Sequence, residues 1–320
     1  MSVAVIIVNY GTPDMAVDAT ESVLAAATPA EVHLVDNASP GGDAALLTQS
    51  ARERGWANRV TLWLEDENHG FGRGNNLVLK ALAGRPEPPD YVFLLNPDAT
   101  LENDALKHLT DILDADPQIA AAGAAIRGTD GFPAVAAFRF PGFISEVTRV
   151  IDFGPLGRIF RRFRVPLGAN LPRGPVDWVS GAAVMFRLKA LEDVDFFDPR
   201  FFLYYEEVDL MRRLRAAGWQ VMHVPDALVL HHAGASTGVS SIETSSRRNP
   251  AYLYDSWTLY FSKNLGRIPA LVLAFTLLPA ACLNILQSRL RGRAPSLPQK
   301  FFRDHFRYVI SPLIGKRNVS

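Results

Sequence analysis

The sequence predicts an α/β fold: a mostly parallel mixed sheet flanked by helices, followed by a helical C-terminal extension. Three observations predict it. Short apolar runs alternate in the N-terminal third with Ala-rich stretches of helical character, the pattern of strand–helix units whose sheet is covered on both faces. Each run is followed by polar residues, where a parallel sheet presents the carboxyl ends of its strands to a ligand. Past Gly238 a helical stretch leads into a long uncharged segment and then into a basic, aromatic one. The expected division is 1–240 for the α/β domain and 241–320 for the extension.

With 320 residues, 48% of them hydrophobic, the chain can bury one large core or two smaller ones. The single cysteine, Cys282, excludes an internal disulfide and a cysteine zinc cluster, and fits a reducing compartment. The opening MSVAVIIVNYG has no basic flank and no cleavage site, so it reads as a buried strand and no export is expected. A formal net charge of zero hides an asymmetry. From Lys263 to Ser320 there are ten basic residues against one acidic residue, Asp304, leaving +9 there and −9 in the remainder. Such a tail suits an anionic surface.

The strand-like runs are Val3 to Asn9, Val32 to Asp36, Val60 to Glu65 and Tyr91 to Asn96. Behind them come Asn9-Tyr10-Gly11, Asp36-Asn37-Ala38-Ser39, the stretch from Asn68 to Asn76, and Asn96-Pro97-Asp98. Each has a plain reading as a turn or helix cap, the last leading into a helix from about Glu102. Gly70, Gly72 and Gly74 match neither the dinucleotide spacing nor a P-loop. A glycine-rich turn that carries Arg73 into a helix can still hold a diphosphate through N–H groups, helix dipole and guanidinium. Further on, FFLYYEEVDLMRRL, Phe201 to Leu214, places Glu206, Glu207 and Asp209 at the start of a helix, with Leu210 and Leu214 on its buried side and Asp209 able to pair with Arg213. Acidic residues favour a helix N-terminus in any case. Adjacent Glu206 and Glu207 point about 100° apart, so one serves structure and the other chemistry.

The ordered set VNYG, VDNAS, ENHGFGRGNN, LLNPDA, DWVSGAAVMFR, FFLYYEEVDLMRRLRAAGW and HHAGASTG resembles the family 2 glycosyltransferases of GT-A (Rossmann-like) fold, in particular their bacterial rhamnosyltransferase-like branch, from about Val3 to Gly238. The resemblance implies Asp36 as the carboxylate that reads the nucleotide base, Arg73 with Asn76 as the diphosphate clamp, and Asn9, Tyr10, Asn68 and Asn96 beside them on the donor side. Asp98 resembles the last member of an Asp-x-Asp element that holds Mg²⁺ or Mn²⁺, both suited to oxygen ligands. Asn96 stands where the first Asp is usual. A histidine completes the implied metal site, His231 or His232, and the spacing to Ser236-Thr237 favours His231. Trp178, Gly181 and Ala182 resemble the acceptor-side strand, with core packing as the other role for Trp178. Glu207 matches the general base, where Asp is usual, with Glu206 as the alternative base or an acceptor contact.

The implied reaction is a single in-line displacement with inversion at the anomeric carbon. The donor is a nucleotide sugar, dTDP-rhamnose first and UDP-sugars next, and the acceptor a polyprenyl-linked or growing cell-surface saccharide. The Gln-x-x-Arg-Trp element of processive members is absent, which implies single additions. A sugar-1-phosphate nucleotidyltransferase and a non-catalytic sugar- or membrane-binding protein are the alternatives.

Between the two halves, Leu156 to Pro166 interleaves Arg158, Arg161, Arg162 and Arg164 with Ile159, Phe160 and Phe163, suiting either a solvated helix face or a lipid diphosphate at a membrane. No recognition motif for nucleic acid accompanies it. A helix is expected from roughly Ser245 to Leu265. Ile268 to Leu286 then runs nineteen residues without charge, about 28 Å as a helix against a hydrocarbon layer of roughly 30 Å. Pro269, Pro279 and Asn284 interrupt it, and a single span would carry Arg289, Arg291, Arg293 and Lys300 outside. An interfacial or re-entrant element at the cytoplasmic face is therefore expected, with Lys300 to Ile310 as a surface-bound amphipathic helix.

Overall fold

The computed structural model describes residues 2–56, 58–232 and 247–315. The chain forms two compact units. The first comprises Met1–Phe138, Pro166–Phe202 and Glu206–Gly238, and the second Arg139–Val165, Leu203–Tyr205 and Val239–Ser320.

In the first unit the strands are β1 (Val3–Asn9), β2 (Glu31–Asp36), β3 (Val60–Leu64), β4 (Tyr91–Leu95), β5 (Ala99–Leu101), β6 (Ile119–Gly128), β7 (Pro133–Ala134), β8 (Ala137–Phe138), β9 (Gly174–Pro175), β10 (Trp178–Val179), β11 (Ala183–Arg187) and β12 (Gln220–His231). The main sheet has the order β3-β2-β1-β4-β11-β6-β12-β5. Its first four strands are parallel, and β11 runs antiparallel to β4 and β6. Because β6 and β12 are parallel, the C-terminal end of β12 returns to the edge where β1, β2 and β4 end. The order reverses between β1 and β4, the place where such sheets open a crevice.

The helices α1 (Pro13–Leu24), α2 (Asp43–Glu53), α3 (Gly70–Ala83), α4 (Ala105–Ala115), α7 (Leu188–Asp193) and α8 (Glu206–Ala216) cover this sheet, with α5 (Phe143–Ile151) and α6 (Gly154–Ile159) falling between them in sequence but in the second unit. The alternation of β1 shows why both faces are covered. Val3, Val5 and Ile7 join one cluster with Ala16, Val23, Leu47, Leu106 and Leu109, while Ala4, Ile6 and Val8 join another with Val78, Leu79, Leu82, Leu210 and Leu214.

Two details depart from expectation. Asn96-Pro97-Asp98 leads into the short strand β5, and the helix starts at Ala105, where the Asp104 carboxylate accepts the Lys107 N–H. The strand IAAAGAAIRG, β6, was hidden by its Ala content; its small residues allow close packing, and a Cβ on Gly123 would meet Val179 at 2.5 Å.

The second unit is helical: α5, α6, α9 (Ala251–Leu265), α10 (Arg267–Leu290), α11 (Phe301–His305) running into a π-turn at Phe306–Ile310, and α12 (Ser311–Ile314). The expected helix from Ser245 is described only from Ala251, since residues 233–246 lie outside the described set. α10 is long and apolar enough to cross a membrane by length and composition, with 39% of its most apolar window buried inside the protein. Ala270, Leu273, Ala274, Leu277, Ala281 and Asn284 form its buried face. There the Asn284 amide donates to Val150 O at 3.0 Å and Ser296 Oγ at 2.9 Å. Ile268, Val272, Phe275, Leu283, Leu286 and Leu290 form an exposed stripe at helical spacing.

Candidate active site

Three parallel strands deliver Asn9, Asp36 and Asn96 to one sheet edge, β12 brings His231 to it, and the residues before β11 bring Gly181 and Ala182. The Asn96 N–H donates to Ala182 O at 2.9 Å, joining the turn after β4 to the start of β11.

On the β1–β2 side, Asp36 is buried at 2% exposure. Its Oδ1 accepts from Asn9 Nδ2 at 3.1 Å and Ser39 Oγ at 2.6 Å. Asn9 Nδ2 also lies 2.9 Å from Asp43 Oδ2, so this carboxylate is engaged in a protein network. Tyr10, by contrast, is exposed. Ser39, Asp43 and Asn37 were not singled out as site residues. Asn37 donates to Asn68 Oδ1 and Gly70 O, both at 3.1 Å, and accepts the His69 N–H at 3.0 Å. Only the Asp/Asn-rich turn after β2 signalled them; their partners lie some thirty residues away.

The glycine-rich stretch opens α3 and brings it close to its neighbours. Gly70 has φ +72, and a Cβ there would stand 1.8 Å from Phe202 O. A Cβ on Gly72 would meet Phe197 at 3.1 Å and Glu206 at 3.4 Å. Arg73 is half-buried, and its Nε donates to His69 O at 2.9 Å, which orients the guanidinium. Asn76, expected beside Arg73 in the diphosphate clamp, has its amide on backbone. Its Nδ2 donates to Phe197 O at 2.8 Å while its Oδ1 accepts the Phe197 N–H at 3.1 Å, so both ends of the amide hold backbone.

His231 pairs with Ala99 across β12 and β5, which sets its ring beside the turn after β4. Its Nε2 lies 3.1 Å from Asp98 Oδ1 and 3.3 Å from Asn96 Nδ2. Asp98 is buried at 4% exposure. His232 meets the same turn through its backbone, donating its N–H to Asp98 O at 2.9 Å. The HHAGASTG motif from Ala233 onward lies outside the described residues. Among the described residues no group of three or more His, Cys, Asp or Glu side chains forms a metal cluster.

At the head of α8, Glu206 is buried, and one carboxylate oxygen of each of Glu206 and Glu207 is buried without a hydrogen-bond partner among the described residues. Burial, reinforced by the charge of Glu207, raises the Glu206 pKa well above the usual carboxyl value. Burial also raises that of Glu207, against backbone hydrogen bonds from its own N–H and that of Val208. Such a pair holds a proton more readily than isolated carboxylates do. A Cβ on Gly181 would come within 3.8 Å of Glu207 Cβ and 3.5 Å of the Phe71 ring, so the two elements meet at close range. Asp209 takes the expected partner, with Arg213 Nε at 2.8 Å. Trp178, partly buried, stacks on Phe138 at 4.1 Å and packs against the core.

Residues 2–249 match the family model described as glycosyltransferase like family 2. The chain is 33% identical over 226 residues, 67% of its length and 70% of the relative's, to an N-acetylglucosaminyl-diphospho-decaprenol L-rhamnosyltransferase of Mycobacterium tuberculosis. It is 28% identical over 167 residues, 52% of its length and 61% of the relative's, to the rhamnosyltransferase WbbL of Escherichia coli. Its fold is similar to that of the mannosyltransferase PcManGT from Pyrobaculum calidifontis in complex with GDP-Man and Mn²⁺, with TM-score 0.54, 17% identity, and 92% of this chain and 76% of that one covered. The chain is a glycosyltransferase of family 2, with the GT-A fold.

Proposed function

We propose that the enzyme transfers a single sugar, rhamnose in first place, from a nucleotide-sugar donor to a lipid-linked saccharide, with inversion at the anomeric carbon. The observation that carries this reading is the buried carboxylate pair Glu206–Glu207 at the head of α8, with two oxygens that have no hydrogen-bond partner among the described residues and Glu207 beside Gly181. The rhamnosyl donor and the diphospho-prenol acceptor are carried over from the activity named for the mycobacterial relative.

In the proposed mechanism Glu206 holds the proton of the pair and Glu207 is ionised. Glu207 takes the proton from the acceptor hydroxyl as that oxygen bonds to the anomeric carbon, and the bond from that carbon to the nucleoside diphosphate breaks. A raised pKa suits Glu207 to this task, because a stronger base is better matched to a hydroxyl proton. Arg73 meets the departing diphosphate with its outer guanidinium edge. Asn9, Asp36 and Tyr10 line the donor side, with Asn37 and Asn68 fixing the loop that carries Arg73.

Asp98 and His231 suit a divalent cation: a buried carboxylate and an imidazole nitrogen 3.1 Å apart otherwise pair with each other. A mixed oxygen and nitrogen set favours Mn²⁺ over Mg²⁺. When bound, the cation supplies charge to stabilise the leaving diphosphate. The exposed stripe of α10 supports seating on an anionic membrane, one face in the interface and the other on the protein. The extension from residue 241 is read accordingly, and the catalytic domain stands on the cytoplasmic side.

The test is donor turnover. Detergent-solubilised protein is given dTDP-rhamnose, UDP-sugars or GDP-sugars with Mn²⁺, Mg²⁺ or chelator, and nucleoside diphosphate release is followed with a polyprenyl-diphosphate-sugar acceptor. Acceptor-dependent release from one donor, lost in Asp98→Ala, supports the reading. Donor binding without turnover across a wide acceptor panel refutes it.

A further inference from the structure

The second unit holds a cavity of about 230 Å³, walled in part by Arg149, Tyr205, Leu253, Trp257, Leu277 and Phe301. That is roughly eight water volumes, room for a phosphate group and a short length of hydrocarbon. Its charged wall is fixed from behind. Glu146, 2% exposed, accepts from Arg149 Nε at 3.2 Å and Nη2 at 2.7 Å, and from Trp257 Nε1 at 2.9 Å. Burial works to raise the Glu146 pKa, but the Arg149 charge and these hydrogen bonds outweigh it and hold the carboxyl below its usual range. The pair therefore stays ionised.

Arg149 does more than neutralise that carboxylate. Its side chain is 63% exposed, it lines the cavity, and among the described residues its guanidinium is engaged only through Nε and Nη2, which leaves the two N–H groups of Nη1 to donate. The remaining wall is mixed: Val150, Leu253, Leu277, Leu297 and Phe301 are apolar, and Asn249, Tyr254, Ser296 and His305 add polar groups. His305 sits against Ala274 O through Nε2 at 2.9 Å and stacks on Phe301 at 5.2 Å; burial lowers its pKa, so the imidazole is neutral. The surrounding unit carries 18 basic residues against 5 acidic, a formal +13, a field that draws anions. The Glu146–Arg149 pair lies within α5 and Trp257 Nε1 ties it to α9; of Arg149 these contacts use the inner edge, and they need no cavity before it.

Tyr205, in the cavity wall, is the residue before Glu206 in the chain. Tyr204 and Tyr205 both hold left-handed backbones, φ 69 and φ 68, at a cost of order 1–3 kcal/mol each. The conformation seats the Tyr205 ring on Tyr260 at 5.0 Å. Strain of this kind persists where the surrounding packing holds a side chain in one place.

We propose that this cavity seats the phosphate-bearing end of the acceptor lipid, with a phosphate oxygen on the outer edge of Arg149 and the adjoining hydrocarbon against Tyr205, Leu253, Leu277 and Phe301. It rests on the transferase reading above for the identity of the lipid, and adds the place where that lipid is held. The recognised chemistry is a phosphate ester next to an isoprenoid chain.

The experiment titrates the full chain in detergent with farnesyl diphosphate, farnesol, inorganic diphosphate and phosphatidylglycerol vesicles, read by tryptophan fluorescence, since Trp257 is in the wall. Farnesyl diphosphate is expected to bind saturably, and farnesol and diphosphate at least tenfold more weakly. Arg149→Lys, which keeps the ion pair but loses the fork, is expected to weaken farnesyl diphosphate binding and raise the acceptor KM about tenfold. Leu253→Trp, which fills the cavity and leaves the charges alone, is expected to do the same. Donor KM stays at the wild-type value in both, and the melting temperature in Leu253→Trp. Wild-type binding in both variants, or equal competition by phosphatidylglycerol, would overturn the proposal. If farnesyl diphosphate binds through Arg149 while no donor is turned over, the site stands and the transferase reading falls.

Discussion

Gly70→Ala tests how the catalytic helix is positioned. At φ +72 an L-residue costs about 1–2 kcal/mol. The new methyl would also stand 1.8 Å from Phe202 O, a backbone atom that cannot rotate away. Relieving that overlap displaces the segment carrying Phe202 and breaks the hydrogen bond from Phe71 N–H to Phe202 O, 3.1 Å. Overpacking of this kind costs about 1–3 kcal/mol and the hydrogen bond about 1 kcal/mol more. The sum is about 3–6 kcal/mol, or a fall of roughly 10 °C in melting temperature for a unit of this size. Gly11→Ala is the control: its φ is +75 but nothing lies within 4 Å of the added methyl, so only the backbone term of about 1–2 kcal/mol applies. Both variants are melted by circular dichroism and assayed for donor turnover. Equal losses of stability would refute the close-approach argument, since the clash would then contribute nothing.

The Glu206 pKa is raised, first by burial and then by Glu207, so the stability it lends as a neutral acid is complete below about pH 4.5 and is lost as pH rises through the folded value. Glu206→Gln should melt with the wild type near pH 4.5 and above it at pH 9, the gap widening by about 1.4 kcal/mol for each pH unit between the ordinary carboxyl value and the raised folded one and levelling off above that; coincident curves would show that the carboxyl is not held neutral. Glu207→Ala should lower kcat by about 10²–10⁴ with donor KM unchanged, and retained turnover would pass the base role to Glu206. Asp98→Ala should abolish the rise in melting temperature produced by Mn²⁺; persistence of that rise would remove Asp98 from the metal site. Leu283→Glu with Leu286→Glu, both on the exposed stripe, should reduce sedimentation with anionic vesicles at least tenfold, and undiminished binding would exclude α10 as the contact.

The fold was legible because its signals are local. The Val/Ile-rich β1 and β4, buried along their whole length, could be read from apolar runs alone, and the motif order pointed to the family before any geometry was known. β6 was not legible, because an Ala-rich strand carries no periodic signal and is defined by the neighbours that pair with it.

At the site, the chain by itself determined which residues could do chemistry: an acidic pair opening a helix, an Asp in the turn after a strand, paired histidines, a glycine-rich arginine turn. Tertiary structure decided their partners. The β5–β12 pairing gives the Asp98 carboxylate to the ring of His231. Asn76 was drawn to the backbone of Phe197, 121 residues away, and Asp36 into a network with Asn9, Ser39 and Asp43. The reason is physical: residue type fixes what a side chain can donate, accept or ionise, whereas its burial and nearest charges are set by segments distant in sequence. The raised pKa values of Glu206 and Glu207 arise first from burial, a property that exists only once the chain has folded around them.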